Sequence, residues 1–319
     1  MKKPDREQSD KLDKANKTNK MDKANNAEKT DRTGSIDKKR RVRIFPIILI
    51  VIILTIGFIL IDSNTRLVTT TYELSYPNLP EAFDGYRIVV LSDVHAAVFG
   101  DENEGLVTKV RDARPDIVAI TGDLIDGTGK MATDEQIVIA QALAARLLTI
   151  APVYYITGNH DWDSHALWTL LEALEETGVI ILRNRYALQE AWGDTIVLAG
   201  TDDRNGPADM MKPDDFVGRI ALAEGERFIV MLEHRNNNLQ LYSELGVDLV
   251  LCGHAHGGII RLPFTDGLLG PRRDLFPTYT SGVYTKGGTN MVVSRGVGNH
   301  TGFPRFLNNP EVVVVVLKR

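Results

Sequence analysis

The chain has the length and composition of a globular protein, but its charge is unevenly distributed. Its 319 residues are 43% apolar and 25% charged, which is enough to form one large domain or two small ones. The net charge is −5, yet residues 1–43 carry 15 Lys and Arg against 8 Asp and Glu, so the remainder is acidic. An acidic main body argues against an extended nucleic acid as ligand. The single cysteine excludes an intramolecular disulfide framework and a multi-cysteine zinc site.

The N-terminal 43 residues are polar and basic. Residues 1–37 contain hardly any apolar side chains, and Asp13-Lys14-Ala15-Asn16 recurs as Asp22-Lys23-Ala24-Asn25. Such a segment buries too little surface to offset the entropy lost on ordering, so we expect a disordered tail. A polar helix is the alternative, because lysines recur at three-residue spacing from Lys11 to Lys23.

Residues 44–61 contain no charged side chain and predict one transmembrane helix. At roughly 1.5 Å per residue, this stretch spans about 27 Å of hydrocarbon. It continues into Asp62-Ser63-Asn64-Thr65-Arg66 rather than into a small-residue cleavage site, which favours an uncleaved anchor over a signal peptide. A buried core helix is the alternative. Because basic residues stay on the cytoplasmic side, residues 1–43 should form a cytoplasmic tail, and residues 62–319 should lie on the extracytoplasmic side of the cell membrane.

Strands and helices alternate after the predicted anchor. Residues 62–85 read as a juxtamembrane strand and a connector, and residues 86–319 as the main domain. The predicted strands of this domain are residues 88–91, 117–120, 153–156, 195–199, 228–232, 248–251, 290–293 and 312–317. The predicted helices are residues 102–113, 134–148, 166–176 and 237–245. Continuous apolar strands separated by helices predict a layered α/β domain, with much of its sheet covered on both faces.

Five of the predicted strands are followed by side chains that commonly bind metal ions. These are Asp93 and His95, Asp123 and Asp126, Asn159 with His160 and Asp161, His234, and His254 with His256. Open α/β sheets form their sites at this edge, and residues i and i+2 leaving a strand point to one side. One such motif alone is weak evidence for a metal site, but five motifs in chain order, each after a strand, indicate one. Imidazole, carboxylate and amide oxygen together suit Mn, Fe or Zn.

The set DxH, GDxxD, GNH followed by an acid, a lone His and GHxH resembles the calcineurin-like metallophosphoesterase superfamily over residues 86–260. A looser resemblance over residues 69–317 is to its membrane-associated bacterial branch. The resemblance implies a layered αββα fold, with two mixed β-sheets flanked by helices, preceded here by the transmembrane helix. It also implies a two-metal centre in which Asp123 bridges both ions. Asp93, His95 and His256 would hold one ion, and Asn159, His234 and His254 the other.

The same resemblance assigns catalytic roles to His160 and Asp126. His160 would donate a proton to the leaving-group oxygen, and Asp126 would orient and charge that imidazole, which is the usual role of a His/carboxylate pair. The alternative is that His160 only hydrogen-bonds a loop and that Asp126 caps the following segment. Asp161 has two alternative roles: it could support the metal ligands, or it could cap the N-terminus of a helix.

Two further features affect the substrate side of the site. Arg295 and Arg305 are candidates to clamp a phosphate, although a structural ion pair is the more common role of an arginine in an acidic domain. Two loops depart from the family pattern: His234 is followed by Arg235-Asn236-Asn237-Asn238 without the usual proline, and Ile259 stands where Gln is frequent.

These observations predict a membrane-anchored two-metal phosphoesterase that uses two divalent ions. A metal-bound water would attack phosphorus directly, because two cations neutralise the ester and lower the pKa of a bound water. Proximity to the bilayer favours an amphiphilic phosphodiester or a lipid-linked pyrophosphate as substrate. The alternatives are a phosphomonoesterase or nucleotide phosphodiesterase, or a metal-binding sensor without catalysis.

Overall fold

A computed structural model describes residues 6–127, 131, 133–207, 210–263, 265–270, 274–299 and 302–319. The chain divides into two compact units, Met1–Phe58 and Ile59–Arg319.

The first unit is helical. Helix α1 is Arg6–Thr65, and its residues 59–65 belong to the second unit. Its segment Ile44–Thr65 is long and apolar enough to cross a membrane, and the apolar window within that segment is not buried. Residues 6–43 are therefore helical where the sequence predicts a disordered tail, while residues 1–5 lie outside the described part. The observed conformation of residues 6–43 is the polar helix that was the alternative. These residues continue the helix of the apolar segment, and each residue added to an existing helix gains one backbone hydrogen bond without the cost of starting a new helix.

The second unit contains 14 strands in the part of the chain that the structure describes. A six-stranded sheet, which we call the first sheet, has the order β1-β14-β2-β3-β4-β5. Its strands are β1 (Val68–Ser75), β2 (Arg87–Leu91), β3 (Ile117–Thr121), β4 (Val153–Ile156), β5 (Ile180–Ile181) and β14 (Glu311–Lys318). Strands β2 to β5 are parallel, and β14 is antiparallel to β2 and parallel to β1. The first sheet is therefore mixed.

The second sheet is also six-stranded and mixed, in the order β12-β13-β9-β8-β7-β6. Its strands are β6 (Arg185–Ala191), β7 (Asp194–Gly200), β8 (Ile229–Leu232), β9 (Leu249–Cys252), β12 (Gly282–Lys286) and β13 (Thr289–Val293). Strands β7, β8, β9 and β13 are parallel, with the two outer strands antiparallel to their neighbours. Strands β10 (Ile260–Arg261) and β11 (Gly267–Leu269) form a separate pair.

The two six-stranded sheets pack face to face between helices. Alternate residues of β2 point to opposite faces, so that Ile88 and Val90 pack against the second sheet while Val89 and Leu91 pack under helices. The first sheet is covered by α2 (Glu104–Ala113), α3 (Thr133–Leu148) and α5 (Leu167–Thr177). The second is covered by α6 (Pro213–Glu224) and α7 (Leu239–Glu244). This confirms the predicted αββα layering.

Several elements of this unit are absent from the sequence prediction. Helix α6 was not predicted, and neither were strands β5, β6, β10, β11 and β12. Strand β6 carries Arg185, Gln189 and Glu190 among its seven residues and lies at a sheet edge, so it lacks the continuous apolar run of a covered strand. Short or edge strands are determined by their partners more than by their own composition.

Candidate metal centre

The predicted ligands meet where strand ends of the two sheets face each other. Strands β2, β3 and β4 of the first sheet and β8 and β9 of the second are each followed directly by the loop that carries one or two of them. Backbone hydrogen bonds join these loops: the N–H of His95 donates to the carbonyl of Asp123 at 3.0 Å, and that of Gly253 to His234 at 3.1 Å. All seven side chains named from the sequence therefore lie in one region.

One group consists of Asp93, His95 and His256, and we call it the His256 side. Their ligand atoms lie within 4.8 Å of one another. His256 Nε2 is 3.3 Å from His95 Nε2 and 3.3 Å from Asp93 Oδ1. Asp93 is fixed in turn, because it accepts hydrogen bonds from the Ser92 hydroxyl at 2.6 Å and from the His254 N–H at 3.0 Å.

The other group consists of Asp123, Asn159, His234 and His254, and we call it the His234 side. His234 Nε2 is 3.2 Å from Asp123 Oδ2, 3.2 Å from Asn159 Oδ1 and 3.2 Å from His254 Nδ1. The other ring nitrogen of His234 donates to the Thr121 carbonyl at 2.8 Å, which directs Nε2 toward the group.

Asp123 lies between the two sides. Its Oδ2 is 3.2 Å from His234 Nε2 and 3.8 Å from His95 Nε2, and the carboxylate is buried. Its Oδ1 accepts a hydrogen bond from the backbone N–H of His160 at 2.7 Å. A carboxylate in this position can contact an ion on either side, as a bridging ligand must.

The backbone at the ligands is held in an uncommon conformation. Five of the seven have positive φ, between 48° and 68°: Asp93, His95, Asp123, His254 and His256. Non-glycine residues rarely adopt such angles, and they persist only where the surroundings impose them, most often at functional sites. Close packing also explains two glycines of the motifs, since a Cβ at Gly158 would overlap the Asp123 carboxylate, and one at Gly253 would overlap the Ser92 hydroxyl.

The buried carboxylates create a strong preference for positive charge. Burial lowers the pKa of His234, but the charge and hydrogen bond of Asp123 outweigh it and raise that pKa to about 10. Burial conversely raises the pKa of Asp123, but His234 and His95 hold it well below its ordinary value. In the absence of a metal ion, a proton on imidazole supplies the positive charge that these side chains attract.

The donor set fits divalent metal ions. Imidazole nitrogens, carboxylates and an amide oxygen converge in two groups, and each group is buried at its centre. Mn, Fe and Zn accept such ligands. The one cysteine, Cys252, is not among them, because it is a residue of β9 buried in the core between the second sheet and its helices.

His160 and Asp126 lie beside the two groups. His160 Nδ1 is 3.4 Å from Asp126 Oδ1, and the His160 ring is 5.0 Å from that of His95. Burial lowers the pKa of His160, but Asp126 and Asp123 outweigh it and raise that pKa above its ordinary value. Asp126 is held by its own backbone, whose N–H donates to the Gln136 side chain at 2.6 Å. The structure therefore brings His160 and Asp126 into contact next to the ligand His95.

Asp161 both supports the ligand loops and caps a helix. Its carboxylate accepts from the backbone N–H groups of Asp123 at 2.8 Å, Leu124 at 2.9 Å and Ile125 at 3.1 Å. It also accepts from Gly158 at 2.8 Å, which caps the short helix α4 (Asn159–Asp163). Burial, followed by the charge of Asp123, raises the pKa of Asp161 to about 7, and the Gly158 and Ile125 N–H groups oppose this rise.

The two candidate phosphate-binding arginines make structural contacts. Arg295 pairs with the buried Glu311 at 2.8 Å. Arg305 is 1% exposed and donates to the backbone carbonyls of Arg295 at 2.8 Å and Gly298 at 2.5 Å. Its guanidinium also lies 3.5 Å from His256 Nδ1. Arg295 thus forms the structural ion pair that was the alternative, whereas Arg305 hydrogen-bonds backbone carbonyls beside His256.

The sequence did not indicate the pair Asp203 and Arg235. Arg235, the residue after His234, donates to Asp203 at 2.8 and 2.9 Å, and both side chains are buried. Asp203 follows strand β7, which is parallel to β8. Its position as a carboxylate after a parallel strand is the feature of the sequence from which it could have been predicted.

Comparison with known proteins identifies the family. The family model described as "Calcineurin-like phosphoesterase" matches residues 86–258. The chain belongs to the calcineurin-like phosphoesterase family. It is 30% identical over 254 residues to "Uncharacterized metallophosphoesterase YkuE" of Bacillus subtilis (strain 168), an alignment that covers 78% of this chain and 85% of that protein.

Two other proteins are also similar to this chain. "Transmembrane protein with metallophosphoesterase domain" of Danio rerio is 30% identical over 77% of this chain, which spans 56% of that protein. "Phosphodiesterase YaeI" of Escherichia coli (strain K12) is 25% identical over 73% of this chain and 82% of that protein. The matched residues 86–258 contain the whole set of motifs recognised in the sequence.

Proposed function

We propose that this phosphoesterase is a membrane-anchored two-metal enzyme that hydrolyses phosphodiesters or pyrophosphates of amphiphilic molecules. The observation that carries the proposal is the meeting of seven ligand-type side chains with the His160–Asp126 pair beside them. A sensor that only binds metal needs the ligands but has no use for that pair.

Each side of the centre would hold one divalent ion. Asp93, His95 and His256 would bind the first, Asn159, His234 and His254 the second, and Asp123 both. Two such ions neutralise the negative charge of a phosphate ester and activate water for attack on phosphorus, without a covalent intermediate on the protein. The neutral amide of Asn159 leaves more of the ions' positive charge available to the substrate.

His160 would supply the proton that the leaving group needs. The imidazole belongs to neither the His256 side nor the His234 side, and Asp126 contacts it at 3.4 Å. The ligand atoms of His160, Asp126 and His95 lie within 4.8 Å of one another, which places the pair next to the centre. A proton on this imidazole would pass to the leaving-group oxygen as its bond to phosphorus breaks, while Asp126 stabilises the charged ring.

The proposed location is the cell membrane, with a single span and the N-terminus in the cytoplasm. The apolar segment Ile44–Thr65 supports the anchor, and the 15 Lys and Arg in residues 1–43 support the orientation. A Danio rerio relative is described as a transmembrane protein. A protease added to spheroplasts is expected to digest residues 62–319, and complete protection of these residues would reverse the proposed orientation.

The test of the proposed chemistry compares His160→Ala with His165→Ala, since His165 is an exposed histidine five residues away. The full chain is assayed for bound metal and for hydrolysis of bis-p-nitrophenyl phosphate and p-nitrophenyl phosphate. We expect His160→Ala to keep its metal and to lose about 10²–10⁴-fold in kcat, the usual contribution of a general acid. His165→Ala should change neither measurement.

Three outcomes would contradict parts of the proposal. A His160→Ala enzyme with full metal and full activity would remove His160 as proton donor. Hydrolysis of the monoester alone would favour a phosphomonoesterase. Two bound metal ions without hydrolysis of any phosphate ester would favour the sensor.

A further inference from the structure

A cavity of about 350 Å³ lies in the second unit, beside the His256 side of the metal centre. Its volume is that of a small-ligand site. Much of its wall is apolar and comes from Ala97, Val98, Phe99 and Val297, with Arg305 and Asn64 among the polar residues. The proposed chemistry does not use this cavity.

One wall of the cavity is continuous with the metal centre. Ala97 and Val98 follow the ligand His95 in the same loop. From the facing segment, the N–H of Gly298 donates to the carbonyl of the ligand Asp93 at 2.7 Å. Arg305, another wall residue, lies 3.5 Å from His256 Nδ1. A molecule in the cavity therefore sits next to the loops that carry all three ligands of this side.

Another wall is the end of the apolar helix. Asn64 and Thr65 line the cavity and are the last two residues of both α1 and the segment Ile44–Thr65. Asn64 is fixed there by two hydrogen bonds, since its Nδ2 donates to the Arg305 carbonyl at 2.9 Å and its Oδ1 accepts from the Arg305 N–H at 2.9 Å. If the segment crosses a membrane, the cavity lies where the chain leaves the bilayer.

The rim of the cavity exposes apolar side chains to solvent. Val98 is 50% exposed, and Phe303, whose carbonyl accepts from the cavity residue Asn299 at 2.8 Å, is 41% exposed. Exposed apolar side chains bordered by polar groups commonly mark a site for an apolar ligand or a membrane. Here Val98 belongs to a cavity wall that also includes Asn64 and Thr65 at the end of the candidate membrane helix.

We propose that this cavity binds the hydrocarbon chain of an amphiphilic phosphate ester taken from the membrane, with the phosphate directed to the metal centre. The inference rests on the proposed function, because it assumes that the centre hydrolyses phosphate esters. The substrate's hydrocarbon chain would lie in this cavity. A catalytic unit that directly follows the apolar helix would then be positioned to take such a substrate from the membrane.

A second, smaller cavity lies beside His254. It measures about 160 Å³, and Arg235, Asn236, Asn237 and Asp274 contribute to its wall together with Ala255 and Pro277. Its charged and amide side chains can hydrogen-bond the polar part of a substrate or a leaving group. It is therefore the natural alternative position against which the proposal is tested.

The first experiment compares two substrates with the same leaving group. The full chain in phospholipid nanodiscs is assayed with p-nitrophenyl dodecyl phosphate and p-nitrophenyl methyl phosphate, and the ratio of their kcat/KM values is recorded. Val98→Asp places a charge at the cavity rim, and we expect it to lower this ratio by at least about tenfold. Val138→Asp, at a valine of α3 that is 63% exposed, should leave the ratio unchanged.

The second experiment does not depend on turnover. A dodecyl phosphate with a diazirine near the end of its chain is photolysed with the metal-loaded protein in nanodiscs. We expect labels in peptides containing residues 97–100 or 297–299, with much weaker labelling of Val98→Asp than of Val138→Asp. Labelling concentrated on residues 236–237 or 277–278, or an unchanged ratio in Val98→Asp, would overturn the proposal.

The two experiments separate the two proposals. Hydrolysis of the methyl ester without chain-dependent labelling at the cavity refutes the inference and leaves the phosphoesterase function intact. If the protein is labelled at the cavity but hydrolyses neither ester, the proposed function is refuted. The hydrocarbon chain bound in the cavity would then not belong to a substrate.

Discussion

The two sides of the metal centre obtain their ligands in the same way but are supported differently. On the His234 side, support comes from other strand-end loops: the Thr121 carbonyl, the Asp161 carboxylate and the Asp203–Arg235 pair. The His256 side also has such bonds, from the His254 N–H to Asp93 and from the His95 N–H to the Asp123 carbonyl. It has additional support from residues 295–299 and 302–308, where Arg305 and Asn308 bond to backbone carbonyls. Loops that follow adjacent strands brace one another on both sides, whereas His256 depends in addition on a later segment outside the two large sheets.

The largest effect is expected where the two sides meet. Asp123→Asn keeps the shape but removes the charge that faces both His95 and His234, so both ions should bind weakly. We expect a loss of at least about 10³-fold in kcat/KM, equivalent to about 4 kcal/mol. Metal analysis should find less than one ion per chain. Asp112→Asn, at an exposed position on α2, is the control, and an Asp123→Asn enzyme with both ions and full activity would show that Asp123 is not shared.

A large effect on stability is expected from the support of the His234 side. Arg235→Met leaves the buried Asp203 carboxylate without its partner, which typically costs about 3–5 kcal/mol. Chemical denaturation measures this loss in the free energy of unfolding. Arg227→Met removes an exposed pair with Glu224 and should cost less than about 1 kcal/mol. Equal losses of unfolding free energy in the two variants would mean that the buried Asp203–Arg235 pair contributes no more to stability than the exposed pair.

The support of the His256 side should affect one ion selectively. Arg305→Met removes the donors to the carbonyls of Arg295 and Gly298, and residues that orient metal ligands typically contribute about 10–100-fold in metal affinity. We expect one of two ions to be lost on dialysis, while the other remains. Metal titration measures this. Arg219→Met, at an exposed position on α6, is the control. Equal weakening of both ions would contradict the division of the centre into two separately supported sides.

The smallest effect is expected for Asn308→Ala. The Asn308 amide donates to the carbonyl of His256 at 2.7 Å and to that of Ile259 at 3.1 Å. Each lost hydrogen bond of this kind costs about 1 kcal/mol, and His256 itself remains in place. We expect a modest loss of unfolding free energy and a decrease in metal affinity on the His256 side smaller than that of Arg305→Met. A larger decrease would make Asn308 the main support of His256.

The layered fold was predictable because its central strands carry their signal locally. Residues 88–91, 117–120 and 153–156 are short apolar runs, and each became a covered parallel strand. The signal was missing for α6 and for β6, where polar residues are mixed with apolar ones. It was misleading for residues 6–43, whose polar composition predicts disorder although their backbone is helical.

The positions of the predicted ligands followed from the same local signal. Asp93, Asp123 and Asn159 each come two or three residues after an apolar strand, so their convergence required only that the strands be parallel and adjacent. The role of Asp161 was left open because it depends on four backbone N–H groups, three of them in another loop.

By itself, the sequence determined the central strands of both sheets, which side chains stand at their ends and where an apolar helix precedes the domain. These properties depend on residues that are neighbours in the chain. Only the tertiary structure decided how the strands divide between two sheets and that Arg305 supports His256. It also decided that the cavity at Asn64 adjoins the His95 loop. These contacts join residues far apart in the chain, and whether such residues meet is settled by the packing of whole layers rather than by local composition.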